Sequence, residues 1–154
     1  MSNVIDALYE LKYNPFKYSE HIASFYAATE GVNENLLLAP LVIPLCSHPV
    51  FGEKLSGAVF GKKRRSTIWT VFGDRSQLHD LQERIDGFQS LTQRCIQHCL
   101  ANDWVSIDSD KLTIHSNAEQ ASAYNNQKNA AKLGKLLSDH AVVEIYAFLG
   151  VKPL

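Results

Sequence analysis

The sequence predicts an α+β fold: a single, predominantly helical domain carrying one β-hairpin. Three observations lead there. Apolar residues step by threes and fours through several segments, the mark of amphipathic helices. Two short runs rich in β-branched residues flank a polar four-residue turn, which signals a hairpin. The length of 154 residues, with 45% hydrophobic and 20% charged residues, suits one globular core and excludes a disordered chain.

Val4, Leu8 and Leu11 lie at helical spacing and predict a short amphipathic helix over residues 3–12. Asn14-Pro15 breaks it, because the residue before a proline is pushed out of the α region. A second helix is expected over 19–30, with Ser19 as N-cap, Ile22, Phe25, Tyr26 and Thr29 on one face, and Gly31 ending it. Residues 36–46 follow as Leu-Leu-Leu-Ala-Pro-Leu-Val-Ile-Pro-Leu-Cys, eleven positions without charge. The run is short of the roughly 20 apolar residues that span a bilayer. Pro40 suits a first helical turn, so a short buried helix is expected from about residue 40 to 46. The seven large aliphatic side chains of the run 36–46, at about 1.5–3 kcal/mol each, make it a core centre or an obligate interface.

Residues 49–66 read as turn-rich, with Pro49, Gly52, Gly57 and Gly61, and end in Lys62-Lys63-Arg64-Arg65. A short helix over 65–72 carries Ile68, Trp69 and Phe72. One long helix is expected over 75–101, because Leu78, Leu81, Ile85, Phe88, Leu91, Cys95, Ile96 and Cys99 keep helical spacing through Gly87. Strands at 104–107 and 112–115 flank Asp108-Ser109-Asp110-Lys111. Residues 116–126 form a polar link, read as the most mobile stretch. A last helix is expected over 127–149, with Leu133, Leu137, Ala141, Ile145 and Phe148 on one stripe. Ala130, Ala131 and Gly134 leave room for close packing, and Gly150 is placed as the C′ residue. The domain thus divides into a helical part (1–73), a long helix plus hairpin (74–116) and a C-terminal helix (127–149).

The net charge of −1 argues against a chain that coats nucleic acid over its whole surface. Three cysteines, without a basic n-region or apolar h-region at the start, point to reduced thiols in the cytoplasm. Cys95 and Cys99 share a helix face with His98 beside them, yet two thiols and one imidazole leave a structural zinc short of a ligand. Both cysteines also fall on the apolar stripe, so core packing is the preferred reading. The six histidines (21, 48, 79, 98, 115 and 140) are dispersed, and Asp139-His140 are adjacent on a helix and so do not face each other. No H-E-x-x-H, G-x-S-x-G or phosphate-cradling glycine loop occurs. The chain is expected not to be an enzyme and to need no cofactor or metal. Lys62, Lys63, Arg64 and Arg65, with Lys54 and Arg75 nearby in sequence, read as solvated loop charge or as a contact for DNA phosphates or an acidic partner.

Three stretches carry a family resemblance. They are Asn14-Pro15 with His21, Ile22, Phe25 and Tyr26; the proline-interrupted run through Leu45 and His48-Pro49; and the ending Ile145-Tyr146-Ala147-Phe148-Leu149-Gly150-Val151-Lys152-Pro153. In order and length the chain resembles the middle component of bacterial ABC three-component systems, the group that includes the small middle subunit of Lamassu defence. The helix-plus-hairpin part resembles half of a winged-helix domain. The resemblance implies a non-catalytic adaptor in an anti-phage or anti-plasmid complex. Its partners would be an SMC-like ABC ATPase that senses foreign DNA and an effector, often a nuclease, held inactive until triggered; DNA is met mainly through the complex, and no membrane is involved. Leu41, Ile43, Leu45, His48, Tyr146, Phe148 and Val151 are then candidates for core or partner interface, and Lys62, Lys63, Arg64 and Arg65 for contact with DNA or an acidic surface. A stand-alone winged-helix DNA-binding regulator is the rival, with Gln89, Gln93, Arg94 and Gln97 on the helix before the hairpin.

Overall fold

Two asparagines start the first two helices by the same device. Asn3 Oδ1 accepts the Asp6 N–H at 2.8 Å and opens α1 (Val4–Lys12). Asn14 Oδ1 accepts the Lys17 N–H at 2.9 Å and opens α2 (Pro15–Ala28), whose first residue is the proline that such a position favours. The computed structural model describes residues 3–29 and 32–153. The second helix therefore begins earlier than residue 19, and Ser19 lies inside it, donating its hydroxyl to the Pro15 carbonyl. Gly31, expected as its terminator, falls outside the described residues.

The proline-broken run folds as a 3₁₀ turn (Asn35–Leu38) leading into α3 (Ala39–Cys46). Pro44 removes one intrahelical hydrogen bond from a helix of barely two turns. Leu38, Leu41, Val42, Ile43 and Leu45 are fully buried, so the run is the centre of this subunit's own core. Residues 49–66 are not all turn: α4 (Pro49–Ser56) opens on His48, with Pro49 again in the first turn. Segments Asn35–Cys46 and Pro49–Ser56 meet at a 100° bend. Gly52 permits the close approach, since a Cβ there would stand 3.0 Å from the Cys46 carbonyl oxygen. A closed turn over 58–66 follows, with Phe60 paired to Arg65 and the Ser66 N–H donating to the Val59 carbonyl at 2.7 Å. The next helix, α5 (Ile68–Phe72), starts three residues later than expected, behind a Thr67–Thr70 capping box.

The single long helix expected over 75–101 is three pieces: a 3₁₀ turn (Arg75–Gln77), α6 (Leu81–Gly87) and α7 (Gln89–Ala101). Phe88, at φ −96° and ψ 3°, ends one helix and begins the next. Gly87 gives the break its low helix propensity, and Phe88 turns inward at the joint, 6% exposed. Both helices bury the same stripe (Leu81, Ile85, Leu91, Cys95, Cys99), which is why the periodicity runs through.

Strands β1 (Val105–Asp108) and β2 (Thr113–Ser116) pair antiparallel with Ile107 opposite Ile114, one residue later than expected. Asp108 Oδ1 accepts from the Asp110 and Lys111 N–H groups, and Leu112 takes a left-handed φ of 53°. The link at 116–126 is tied down: Asn125 N–H donates to Glu20, Gln127 N–H to Ser24 Oγ, and Tyr124 packs on Trp104. The last expected helix is also broken, into α8 (Lys128–Leu137) and α9 (Val142–Leu149). Ala141 is extended at ψ 152° and exposed, off the stripe it was placed on. Gly150 does close α9 in the left-handed region, at φ 70°.

α2 packs against both α7 and α8, and α3 touches all three. Phe25, Phe51 and Phe72 are the largest fully buried side chains. No single helix among the described residues is long and apolar enough to cross a membrane.

Candidate partner surfaces and the basic turn

The basic tetrad occupies the tip of the 58–66 turn, and all four of its side chains are exposed. Lys62, Lys63 and Arg64 form the tip itself. Arg65 turns back, pairing with Asp139 at 2.7 Å and lying 5.7 Å over the Phe60 ring. Lys135 of α8 covers the same ring at 5.6 Å, and Lys132 donates to the Ser56 carbonyl at 2.6 Å. These two lysines were missed by sequence reading, although their three-residue spacing places them on one helix face. Arg75, expected near the cluster, instead donates to the Phe148 carbonyl at 2.6 Å and sits 5.0 Å over its ring.

The core-or-interface candidates differ in burial within the chain. Leu41, Ile43 and Leu45 are in the core, as are Tyr146 and Val151. Tyr146 donates its hydroxyl to the Leu37 carbonyl at 2.6 Å, and burial pushes its pKa well above the ordinary tyrosine range. Phe148 is half-buried against Trp69. His48 is buried and serves the fold: its Nδ1 accepts the Val50 and Phe51 N–H groups at 3.1 and 3.3 Å, capping α4. That role needs an unprotonated Nδ1, and burial, then the nearby Arg84 cation, lower the pKa. Arg84 itself donates to the Pro44 carbonyl at 3.1 Å and to Ser47 Oγ at 2.8 Å, satisfying the end of α3.

Cys95 and Cys99 pack into α2, their thiols directed at the Pro15 and Ser19 carbonyls, while His98 stands edge-on to Phe16 and Trp104. Burial pushes both thiols up, to about 11 and about 12. Among the described residues no group of three or more histidine, cysteine or acidic side chains could hold a metal.

The surface that sequence reading did not foresee is α1. It has no buried residue, and Val4, Ile5, Leu8, Tyr9 and Leu11 are all more than half exposed. Val4, Leu8 and Leu11 form one strip, with Ile5 and Tyr9 beside it and Asp6 and Glu10 opposite. Its link to the body is aromatic: Tyr9 packs on Tyr13, which packs on Tyr18 and Phe88. A cavity of about 130 Å³ also opens between α3, α6 and α7, lined by Leu36, Pro40, Ile85, Thr92 and Ile96 among others.

No curated protein and no solved structure matches the chain. The family model described as ABC-three component (ABC-3C) system Middle Component 3 matches residues 2–153, nearly the whole chain. The chain belongs to the Middle Component 3 family of ABC-three component systems.

Proposed function

We propose that the chain is a non-catalytic adaptor that links an SMC-like ABC ATPase to an effector, often a nuclease, in a Lamassu-type anti-phage or anti-plasmid complex. In this reading the ATPase senses foreign DNA in the cytoplasm, and the adaptor helps hold the effector inactive until then. Membership of a three-component system already implies protein partners. The observation that carries the adaptor role is α1: a capped helix with no buried residue and a continuous apolar strip facing solvent. Scattered exposed leucines are ordinary, but five large apolar side chains on one unpartnered helix are the pattern of a helix laid into a partner's groove. A subunit of the same system offering that groove is the occupant.

Co-purification tests it. Leu8→Glu and Leu11→Glu change exposed positions and should leave the melting curve unchanged while the other two components are lost from the complex. An intact complex with both substitutions would sink the docking role of α1.

A winged-helix DNA-binding regulator is the second reading, favoured by the exposed Gln89, Gln93, Arg94 and Gln97 on the helix that precedes the hairpin. Tight binding of the isolated chain to one defined DNA sequence, at physiological salt and without an ATPase, would establish it over the adaptor.

A further inference from the structure

We propose that the 58–66 turn, together with the facing side of α8, holds the phosphate backbone of duplex DNA without reading its sequence. This deepens the adaptor reading, since it puts a DNA contact on this subunit as well as on the ATPase. Three consecutive exposed cations, Lys62, Lys63 and Arg64, stand on a turn that carries no carboxylate of its own. The turn is pinned at its base by the Val59–Ser66 hydrogen bonds, so the cations are presented on a fixed loop. Lys135 adds a fourth charge from α8, across a shallow groove of about 440 Å³ that Phe60, Arg65, Ser138 and Asp139 also line. Asp139 faces the patch, and its pairing with Arg65 at 2.7 Å offsets that guanidinium.

The side-chain chemistry chooses between the polyanions. Lysine is depleted from protein–protein interfaces, whose energy comes from aromatic and apolar anchors. Here the apolar groups are few: Val59 is 40% exposed, and the Phe60 ring is covered by Arg65 and Lys135. An aromatic ring so covered gives unpaired bases nothing to stack on, which disfavours single strands. Phosphate contacts made by lysine and arginine position a duplex and carry no sequence information.

The test is a fluorescence-anisotropy titration of the full chain with a random-sequence DNA duplex at several salt concentrations. Wild type should bind with an affinity that falls steeply with salt. Replacing all three tip cations (K62Q, K63Q and R64Q together) should make the log–log salt slope shallower by roughly 3, at about 0.9 for each phosphate no longer neutralised. Asp139→Asn, which frees Arg65, should raise affinity severalfold. Because these side chains are exposed, the circular-dichroism melt of each variant should match wild type. The proposal fails if wild type does not bind, if the triple variant keeps the wild-type slope, or if one sequence is strongly preferred. It also fails if the triple variant loses the protein partners but binds DNA as before, which would make the turn a docking point for an acidic protein surface. Leu8→Glu separates the two readings: it should bind DNA normally whether or not it assembles with its partners.

Discussion

Gly134 of α8 lies directly against the backbone of Phe25 on α2: a Cβ at position 134 would stand 2.6 Å from the Phe25 carbonyl oxygen. The same methyl would meet Thr29 Oγ1 at 3.0 Å and the Ala28 Cβ at 3.2 Å. In an open helix, glycine to alanine gains about 1 kcal/mol. Here backbone blocks the way, and forced repacking costs about 1–3 kcal/mol or more. Gly134→Ala should therefore lower stability by about 1–2 kcal/mol net in urea unfolding. A stabilised variant would show that α2 and α8 separate freely.

Asn35 should be the costliest polar residue to truncate. Its side-chain amide exchanges two hydrogen bonds with Ile114, accepting the N–H at 2.6 Å and donating to the carbonyl at 3.0 Å. It thus stands in for a third strand at the inner edge of the hairpin. Asn35→Ala leaves two buried backbone groups unpaired, at about 1–3 kcal/mol each. The expected loss is about 2–4 kcal/mol, with hydrogen exchange of the Ile114 amide accelerated ahead of that of His115, which faces Ser106 across the hairpin.

Stability should fall on mild acidification. His48 and His21 both have pKa values lowered in the fold, chiefly by burial. The unfolded chain then takes up protons first, near the ordinary imidazole value of about 6.5. Stability is complete above that pH and declines as pH falls from there through the lowered folded values. His48→Asn keeps an N-cap but binds no proton, so the decline below about pH 6.5 should be shallower in that variant. An equal slope in both proteins would remove His48 from the account.

The thiols should be silent in the native state. Cys46 and Cys99 are pushed up to about 12 and Cys95 to about 11 by burial, so thiolate is scarce at neutral pH. Iodoacetamide at pH 7.5 should label none of the three in an hour and all of them in urea. Fast labelling of one cysteine without denaturant would reveal a local opening around it.

Helix positions and core membership were largely legible in the sequence, and helix breaks were not. Leu81, Ile85, Leu91, Cys95 and Cys99 share a buried face across the Phe88 joint, so a hydrophobic period reports that face and is blind to the bend. The same holds for α8 and α9, where Leu133, Leu137 and Ile145 are buried on both sides of the interruption. The start of α2 was missed because Ser19 and Asn14 are both good caps, and the proline after Asn14 decides between them. The hairpin was placed to within one residue, since polar Asp108 and Asp110 mark its turn in any register. Of the candidate site residues, the basic turn was visible as a charge run, but Lys135 reaches it only through the packing of α8 against Phe60. The exposed α1 could not be read, because an amphipathic stripe looks the same whether its apolar side meets this core or another protein's.

Tyr146 reaches the carbonyl of Leu37 across 109 residues of chain. The first turn of the aliphatic run, Asn35–Leu38, therefore gains its α9 neighbour only after every intervening element has been made, whereas α3 already has α2, α4, α6 and α7 to pack on. Contacts of such sequence separation form late, and the exposed intermediate is prone to aggregate. Helix α1, which buries none of its own residues in the core, does not depend on that contact. With α1 in its proposed docking role, co-expression of the subunits should raise the yield of soluble protein over separate expression.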